Sequence, residues 1–561
     1  MLYDVIVVGS GISGLFAALY AKKSGNKVAV LTKSNPFRSS SAVASGGINA
    51  VIDTTAYDSI EQHISDTFLG ASGLGYKETI KKMCEDAPYI IKELEEIGVE
   101  FDKTEDGSIA QRPFGGTKAK RTCYIADKTG ASIVQKLLQK CRKEGIEILA
   151  NHKFLNITKF NEKLSGITVL RRADSHVVAF ACKSLILAGG GYAGIFRGHS
   201  TNAQENSGDV IAAALRAGMR LSNMEFVQFH PTTLLNSGAL ISEAARGEGA
   251  VIVDEKGERF TDELQTRDKL SRDILKHQLE GHKTYLDMRQ LGKDTIEKKL
   301  PSTRAKALSA AGVDIVNELL EITPSAHYSI GGIYTRSDTS TDMARVFACG
   351  ECAVTGVHGA NRLGGNSLLE SAYFGKIAGI NASKAVLKSD FLPIDYAQVE
   401  KESRRVDIVL SGEALFNINS MRKNLGDVLF KSAGVFRRES SLLDALSYVS
   451  YLISKSYGLH CVNKERDNNV ELISILEFKN ALIIAESMIL SALKRRESRG
   501  VHFREDFPQQ DDRNFGMPSY TKQLSSDLYE ITFEENTIEN LWYKFTNLFN
   551  LQRSRDGKSY A

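Results

Sequence analysis

A chain of 561 residues is too long for a single hydrophobic core, so several domains are expected. Its 42% apolar and 25% charged residues are those of a globular protein, and a net charge of +3 excludes the strongly basic surface used to bind nucleic acid or an anionic membrane. Seven cysteines, odd in number and mostly scattered, point to reduced thiols and the cytoplasm. Neither a membrane span nor a secretion signal is read in the apolar start, 2–21, which carries Asp4 and three glycines.

The first predicted element is the apolar run Val5-Ile6-Val7-Val8. It is followed by Gly9-Ser10-Gly11-Ile12-Ser13-Gly14, by a helical stretch with Leu15, Ala17, Ala18 and Leu19, and by a second strand over 27–32. Strand, glycine turn, helix and parallel strand are the start of a dinucleotide-binding unit. Gly9 permits the turn, Gly11 lets the backbone approach a diphosphate at the helix N-terminus, and Gly14 lets helix and strand pack closely. The second strand ends in Thr32-Lys33, without the acidic ribose ligand of many such folds. The small-residue run from Arg38-Ser39-Ser40 to Gly46-Gly47-Ile48-Asn49 suits backbone lying against a flat ligand; taken alone it equally suits a surface loop.

Apolar positions Ile80, Met83, Ile90, Ile91 and Leu94 predict a helix over 76–98. Gln111-Arg112-Pro113-Phe114-Gly115-Gly116-Thr117 and Ala126-Asp127-Lys128-Thr129-Gly130 come next. Leu185-Ile186-Leu187-Ala188-Gly189-Gly190-Gly191 reads as another buried strand running into glycines, and Asp209 is placed to cap a helix over 210–217. His230, Ser242, Glu243, Arg246 and Arg267 then concentrate polar chemistry within forty residues. Glu243 and Arg246, three apart, share a helix face, either as a proton relay or as a surface ion pair. His327 precedes Val346-Phe347-Ala348-Cys349-Gly350-Glu351, read as the strand that closes the dinucleotide sheet. Cys349 and Cys352 spell a CxxC, but Glu351 already accounts for the local pattern. Arg362, flanked by glycines, offers a fork suited to a carboxylate. Beyond 392 the spacing is helical, with stripes over 442–453 and 472–493 and a stop at Gly500.

The motifs at 9–14, 46–49, 111–130, 185–191 and 356–370 together resemble the flavoprotein family of succinate dehydrogenase, fumarate reductase and L-aspartate oxidase, over about residues 2–510. The resemblance implies an α/β fold: a Rossmann-like FAD-binding domain at 1–228 and 330–390, an inserted α+β capping domain at 229–329, a C-terminal helical domain at 391–505 and a segment at 506–561. It implies FAD, with a shell of Gly9, Gly11, Gly14, Lys33, Ser40, Gly46, Gly47, Gly189, Gly190, Asp209, Glu351, Asn366, Ser367 and Leu368, Glu351 lying on the flavin ribose. It further implies that Arg362, His327, His230 and Ser242 hold the two carboxylates of fumarate or succinate, that hydride passes at flavin N5, and that Arg267 donates or accepts the proton through a relay with Glu243 and Arg246.

Two positions choose within the family. Respiratory members bond a histidine covalently to the flavin; here Ser40 stands there, so FAD is expected to be non-covalent, which favours fumarate reduction or oxygen use over succinate oxidation. L-aspartate oxidases place a glutamate where Phe114 stands, a carboxylate able to pair with the substrate ammonium. An aromatic ring leaves that ammonium unpaired in a closed site, at a cost of several kcal/mol, so Phe114 points to a plain dicarboxylate unless it is simply a core aromatic. The expectation is the flavoprotein subunit of a fumarate reductase or succinate dehydrogenase, with L-aspartate oxidase of NAD biosynthesis, which Ser40 and the short length suit, as the alternative. A non-catalytic flavin-binding assembly protein is opposed by the intact His327, Arg267 and Arg362. Iron-sulfur and haem spacings are missing from the sequence and no metal site is expected, so the implied electron partner is an iron-sulfur subunit. The implied location is cytoplasmic, or peripheral at the inner face of the membrane through partners.

Overall fold

The computed structural model describes residues 1–52, 58–235, 237–525, 528–533 and 541–544. Of the expected C-terminal segment, the part from 545 onward lies outside them. Leu2–Val8, Val28–Leu31 and Glu147–Leu149 run parallel, Val177–Leu187 lies parallel on the other side of Leu2–Val8, and Val346–Ala348 closes against its end. Lys163–Arg171 and His152–Phe160 complete the seven-stranded sheet as an antiparallel meander. Val, Ile and Leu fill the central strands because both faces are covered. Helices Ile12–Lys23, Lys77–Ile97, Thr129–Lys143 and Asn366–Val386 share the core of one face. Asp209–Arg216 and the C-terminal helices share that of the other.

Between Val227 and Ser329 the chain builds a separate antiparallel sheet in the order Val227–Leu234, Leu320–Ser329, Thr284–Asp287, Val251–Asp254. Helices Arg267–Leu279 and Pro301–Ala311 pack on it around Ile241, Ala245, Ile252, Leu270, Leu286 and Ile322, a core distinct from that of the main sheet. The result is the expected class: an α/β sheet, an α+β insert and a helical C-terminal part.

Helices Tyr396–Ser411, Ile418–Ala433, Glu439–Ser456 and Val470–Lys494 form that last part. The final helix stops at Lys494, not at Gly500. Its terminal carbonyls are satisfied from outside: Arg504 Nη1 donates to the Ala492 oxygen at 2.9 Å, and His502 Nε2 lies 3.1 Å from the Arg495 oxygen. With these groups satisfied, the chain leaves the helix six residues before the glycine. The sequence beyond 510 carries little signal, yet Tyr520–Ser525 pairs with Leu221–Ser222 and continues through Leu528–Thr532 and Leu541–Lys544 into a six-stranded sheet.

Candidate active site

A cavity of about 700 Å³ follows the carboxyl ends of the central strands and enters the cleft against the insert. Ligands of open parallel sheets bind at that edge. The glycines expected there divide by task. Gly9 has φ +117°, and a Cβ on it would stand 2.0 Å from the Ala188 oxygen; one on Gly14 would stand 2.0 Å from the Gly9 oxygen. Gly14 is therefore a packing residue, away from the cavity wall. Gly11 faces the cavity, its missing Cβ meeting only Ser41 Oγ at 3.1 Å. Gly11 has no side chain to cap the helix it begins; Ser41 Oγ accepts the Ile12 N–H at 3.2 Å and, among the described residues, the N–H groups of Ser13 and Gly14 meet no side-chain cap. The N-terminal N–H groups and the positive end of the dipole are thus turned to the space where a diphosphate fits. Gly46, Gly47, Gly189, Gly190, Ser40, Lys33, Asp209, Glu351, Ser367 and Leu368 also line the cavity. Asn366 does not. It is fully buried, its amide accepting from Asn49 at 2.9 Å and donating to Thr67 at 2.9 Å, with His63 Nε2 at 3.1 Å. It braces the start of helix Asn366–Val386 from behind.

Asp209 is not the helix cap. Gly208, at φ +74°, holds that position, and the Asp209 carboxylate turns instead to the ammonium groups of Lys153 and Lys33, the latter at 3.1 Å. Although burial alone would raise it, these two cations hold the carboxyl far below its usual range. Glu477, from helix Val470–Lys494, meets the same pair, with Lys33 at 3.0 Å and Lys153 at 3.6 Å, and Asn480 donates to Asp209 at 2.7 Å. Lys153, Glu477 and Asn480 were not legible in sequence. They sit on a plain strand and on a helix whose polar positions look like any solvated face.

At the other end, Glu243–Gly247 is a single helical turn capped by Ser242, whose Oγ accepts the Ala244 N–H at 3.2 Å. The surface-pair reading of Glu243 and Arg246 fails, since both are 2% exposed. Arg267 donates twice to Glu243 Oε2, from Nε at 2.9 Å and Nη2 at 2.6 Å, and Nη1 reaches Gln228 Oε1 at 3.3 Å. Glu243 Oε1 accepts the Gly115 N–H at 2.7 Å and lies 3.8 Å from Arg246 Nη2. Burial would raise the Glu243 carboxyl, but Arg267 and Arg246 hold it at about 2. Glu243, Arg267, Arg362, His230, Ser242, His327 and Phe114 line one region of the cavity, with Arg246 behind them. The two imidazoles sit 5.1 Å apart, and burial, then Arg267, keeps both well below the usual histidine range and so neutral. The Thr232 N–H points at His230 Nδ1 at 3.3 Å, which leaves Nε2 to donate. Arg362 stacks on Tyr328 at 4.3 Å, and burial with the nearby Arg267 charge pushes it down to about 9. Arg267 and Arg246 thus share the one carboxylate of Glu243, and among the described residues Arg362 makes no ion pair, an excess of positive charge that suits a doubly charged anion. Gln228, missed in the sequence, ties the two domains by donating to the Arg362 oxygen at 2.8 Å and to Asn361 at 2.9 Å.

Glu351 Oε1 accepts both the N–H and the hydroxyl of Ser329 at 3.0 Å. Behind it, Glu370 is 1% exposed, meets among the described residues only the Thr355 hydroxyl at 3.4 Å, and is pushed up to about 8 by burial. A carboxyl raised in the fold contributes stability that is full below its unfolded value and is lost as pH rises through about 8. Wild-type stability should therefore fall relative to Glu370→Gln by about 1.4 kcal/mol per pH unit between roughly pH 4.5 and 8, and run parallel above it. Denaturant titrations of the two proteins across that range check this; parallel profiles would mean Glu370 is ionised at neutral pH. Cys349 and Cys352 are fully buried, and burial pushes the Cys352 thiol up to about 12, which suits an inert pair.

A glycine-cradled cavity on a Rossmann-like sheet defines a dinucleotide-binding flavoprotein, and a family model described as FAD binding domain matches residues 4–368. A second, described as fumarate reductase flavoprotein C-term, matches 422–549. The succinate dehydrogenase flavoprotein subunit of Rickettsia felis is 34% identical over 91% of this chain and 91% of its own length. The 8-methylmenaquinol:fumarate reductase flavoprotein subunit of Wolinella succinogenes is 36% identical over 91% of this chain and 87% of its own. A solved quinol fumarate reductase of E. coli superposes with a TM-score of 0.90 at 29% identity, covering 95% of this chain and 96% of that one. The chain belongs to the succinate dehydrogenase/fumarate reductase flavoprotein family of FAD-dependent oxidoreductases acting on CH–CH bonds. Among the described residues no helix is long and apolar enough to cross a membrane.

Proposed function

We propose that this chain binds FAD non-covalently and interconverts fumarate and succinate, with residues 229–329 closing over the substrate. The observation that carries the reading is the buried Arg267–Glu243 pair opening onto the same cavity as Arg362, His230 and His327. The residues fit FAD: the open face of Gly11, the helix start beside it and the Lys33–Lys153–Asp209 cluster suit its diphosphate, Glu351 would hold the flavin ribose, and Ser367 and Leu368 line the same cavity. Ser40 has no ring nitrogen with which to form a histidyl link. Bound FAD would supply the electron pair for the carbon–carbon double bond.

The protein's own part is charge and proton placement. Arg362, Ser242 and the two neutral imidazoles orient the carboxylates by donation, a task for which uncharged histidines suffice. Arg267 is the proton donor to the carbon next to the reduced one. A guanidinium is a very weak acid in water, so it serves only where desolvation and neighbouring positive charge ease proton loss and a relay returns the proton. Arg267 passes its proton to that carbon and would be reprotonated through Glu243, bonded to it twice, and then Arg246 behind, with the replacement proton drawn from solvent. Phe114, 4% exposed against Gly46 and Gly364, presents a ring where an amino-acid substrate needs a carboxylate. We place the electron partner in an iron-sulfur subunit, through which the chain would sit at the inner face of a membrane.

The test is an air-free assay of the purified chain. Oxidation of reduced viologen by fumarate is the expected result, with no bleaching of FAD by L-aspartate. Bleaching with imino-product formation would transfer the chain to aspartate oxidation and show that Phe114 does not select against an ammonium.

A further inference from the structure

Helix Pro301–Ala311 lies over the cavity, and Lys306, Ser309 and Ala310, spaced i, i+3 and i+4, share the face that lines it. The other face, with Thr303 and Ala307, is buried in the insert. Its N-terminus is clamped from across the cleft: Asp127 accepts from the Ser302 hydroxyl at 2.7 Å, from the Thr303 N–H at 2.9 Å and from the Thr303 hydroxyl at 3.3 Å. Three residues beyond Asp127, Gly130 packs so closely under the Ser40–Val43 turn that a Cβ would stand 1.9 Å from the Ser41 oxygen. The clamp therefore fixes Lys306 relative to the wall on which the cofactor is expected.

Lys33 and Lys153, the other lysines of the cavity, are neutralised by Asp209 and Glu477. Among the described residues no hydrogen bond or ion pair joins the Lys306 ammonium. Asp127, whose charge acts on it, spends its oxygens on the helix N-terminus. Half-burial without a counter-ion holds Lys306 below the usual lysine range. An ammonium partly out of water and unpaired is a cost that an anion in the cavity removes.

We propose that Lys306 is an oxyanion-binding residue of the cavity, reaching from the insert to a phosphate of the bound cofactor or to a carboxylate of the substrate. The inference rests on the FAD and dicarboxylate reading above and adds a contact that fastens the insert to whatever fills the cleft. Two variants of the FAD-loaded protein test it: Lys306→Met, of similar length without charge, and Lys306→Arg, which keeps the charge. FAD release is followed by its fluorescence, and succinate binding by the change in the flavin spectrum. In Lys306→Met one of the two should weaken roughly tenfold, the scale of one charged hydrogen bond, with Lys306→Arg close to wild type. Weakened FAD retention assigns the phosphate, and weakened succinate binding the carboxylate. Both constants within twofold of wild type overturn the proposal, as does a loss in Lys306→Arg equal to that in Lys306→Met. A wild-type protein that holds FAD but neither binds succinate nor reduces fumarate overturns the proposed function, while the FAD arm still decides on Lys306. Where the wild-type chain retains no FAD, the rise in melting temperature given by inorganic pyrophosphate decides: a smaller rise in Lys306→Met supports the proposal, and an equal one overturns it.

Discussion

Arg267→Ala should lower fumarate reduction by roughly 10³-fold or more while FAD stays bound. The expected size follows from where the guanidinium stands. It is 8% exposed, lines the cavity, and is the one donor there bonded twice to a carboxylate. Removing it takes away the proposed proton source and leaves Glu243, among the described residues, with Arg246 at 3.8 Å as its one ion-pair partner. The proposed cofactor contacts lie elsewhere, on the glycine turns and the Lys33–Asp209 cluster, so the flavin spectrum and FAD content should be unchanged. Lys is not a substitute, because an ammonium cannot reproduce the fork that bonds Glu243 Oε2 from two nitrogens. Anaerobic viologen assays on FAD-loaded protein measure the effect, and turnover within tenfold of wild type would remove Arg267 from the proton path.

Glu243→Gln should cost both activity and stability. The carboxylate stands between two buried guanidinium groups, and its loss leaves two cations without a counter-charge, a change of about 3–5 kcal/mol for a buried pair. A fall of several degrees in melting temperature and roughly 10²-fold in turnover are expected together, with FAD retained. The pH dependence has a fixed sign. A carboxyl held at about 2 contributes stability that is complete above its unfolded value and is lost as pH falls toward 2, so wild type and variant should differ most above roughly pH 4.5 and converge in acid. A variant as stable as wild type at pH 7 would show that Arg246 and Arg267 find other partners.

The parts of this architecture that are local in sequence were legible there. Strand, glycine turn and helix over 2–23 follow from spacing alone, although only Gly14 is demanded by a backbone contact inside the unit, with Gly9, while Gly9 is held against Ala188 and Gly11 faces Ser41. The helix at Lys77–Ile97 and the closing strand Val346–Ala348 follow from periodicity. What could not be read is set by pairing over long separations. Asp209 looks like a helix cap until Lys153 and Glu477 are brought beside it, 56 residues one way on a strand and hundreds the other way on a helix. Gln228 is one polar residue in a buried strand, and only the fold shows it hydrogen-bonded to the loop that carries Arg362. The helix end at Lys494 depends on Arg504 and His502, whose roles as carbonyl partners have no local signature. In the catalytic cluster the residue types were evident, but only burial separates a relay from a surface ion pair.

The cluster of Lys33, Lys153, Asp209 and Glu477 also imposes an order on biosynthesis. Lys33 precedes both of its counter-charges in the chain, Asp209 at 3.1 Å and Glu477 at 3.0 Å, and the second of them comes from helix Val470–Lys494. Domains tend to fold as they leave the ribosome. Here the strands and turns that carry Lys33 and Lys153 can pair with Asp209 once helix Asp209–Arg216 forms, but the two lysines share that one carboxylate until helix Val470–Lys494 docks and brings Glu477. A truncation before residue 470 should therefore leave a sheet that forms, with two lysines sharing one carboxylate at its nucleotide end and weaker retention of FAD.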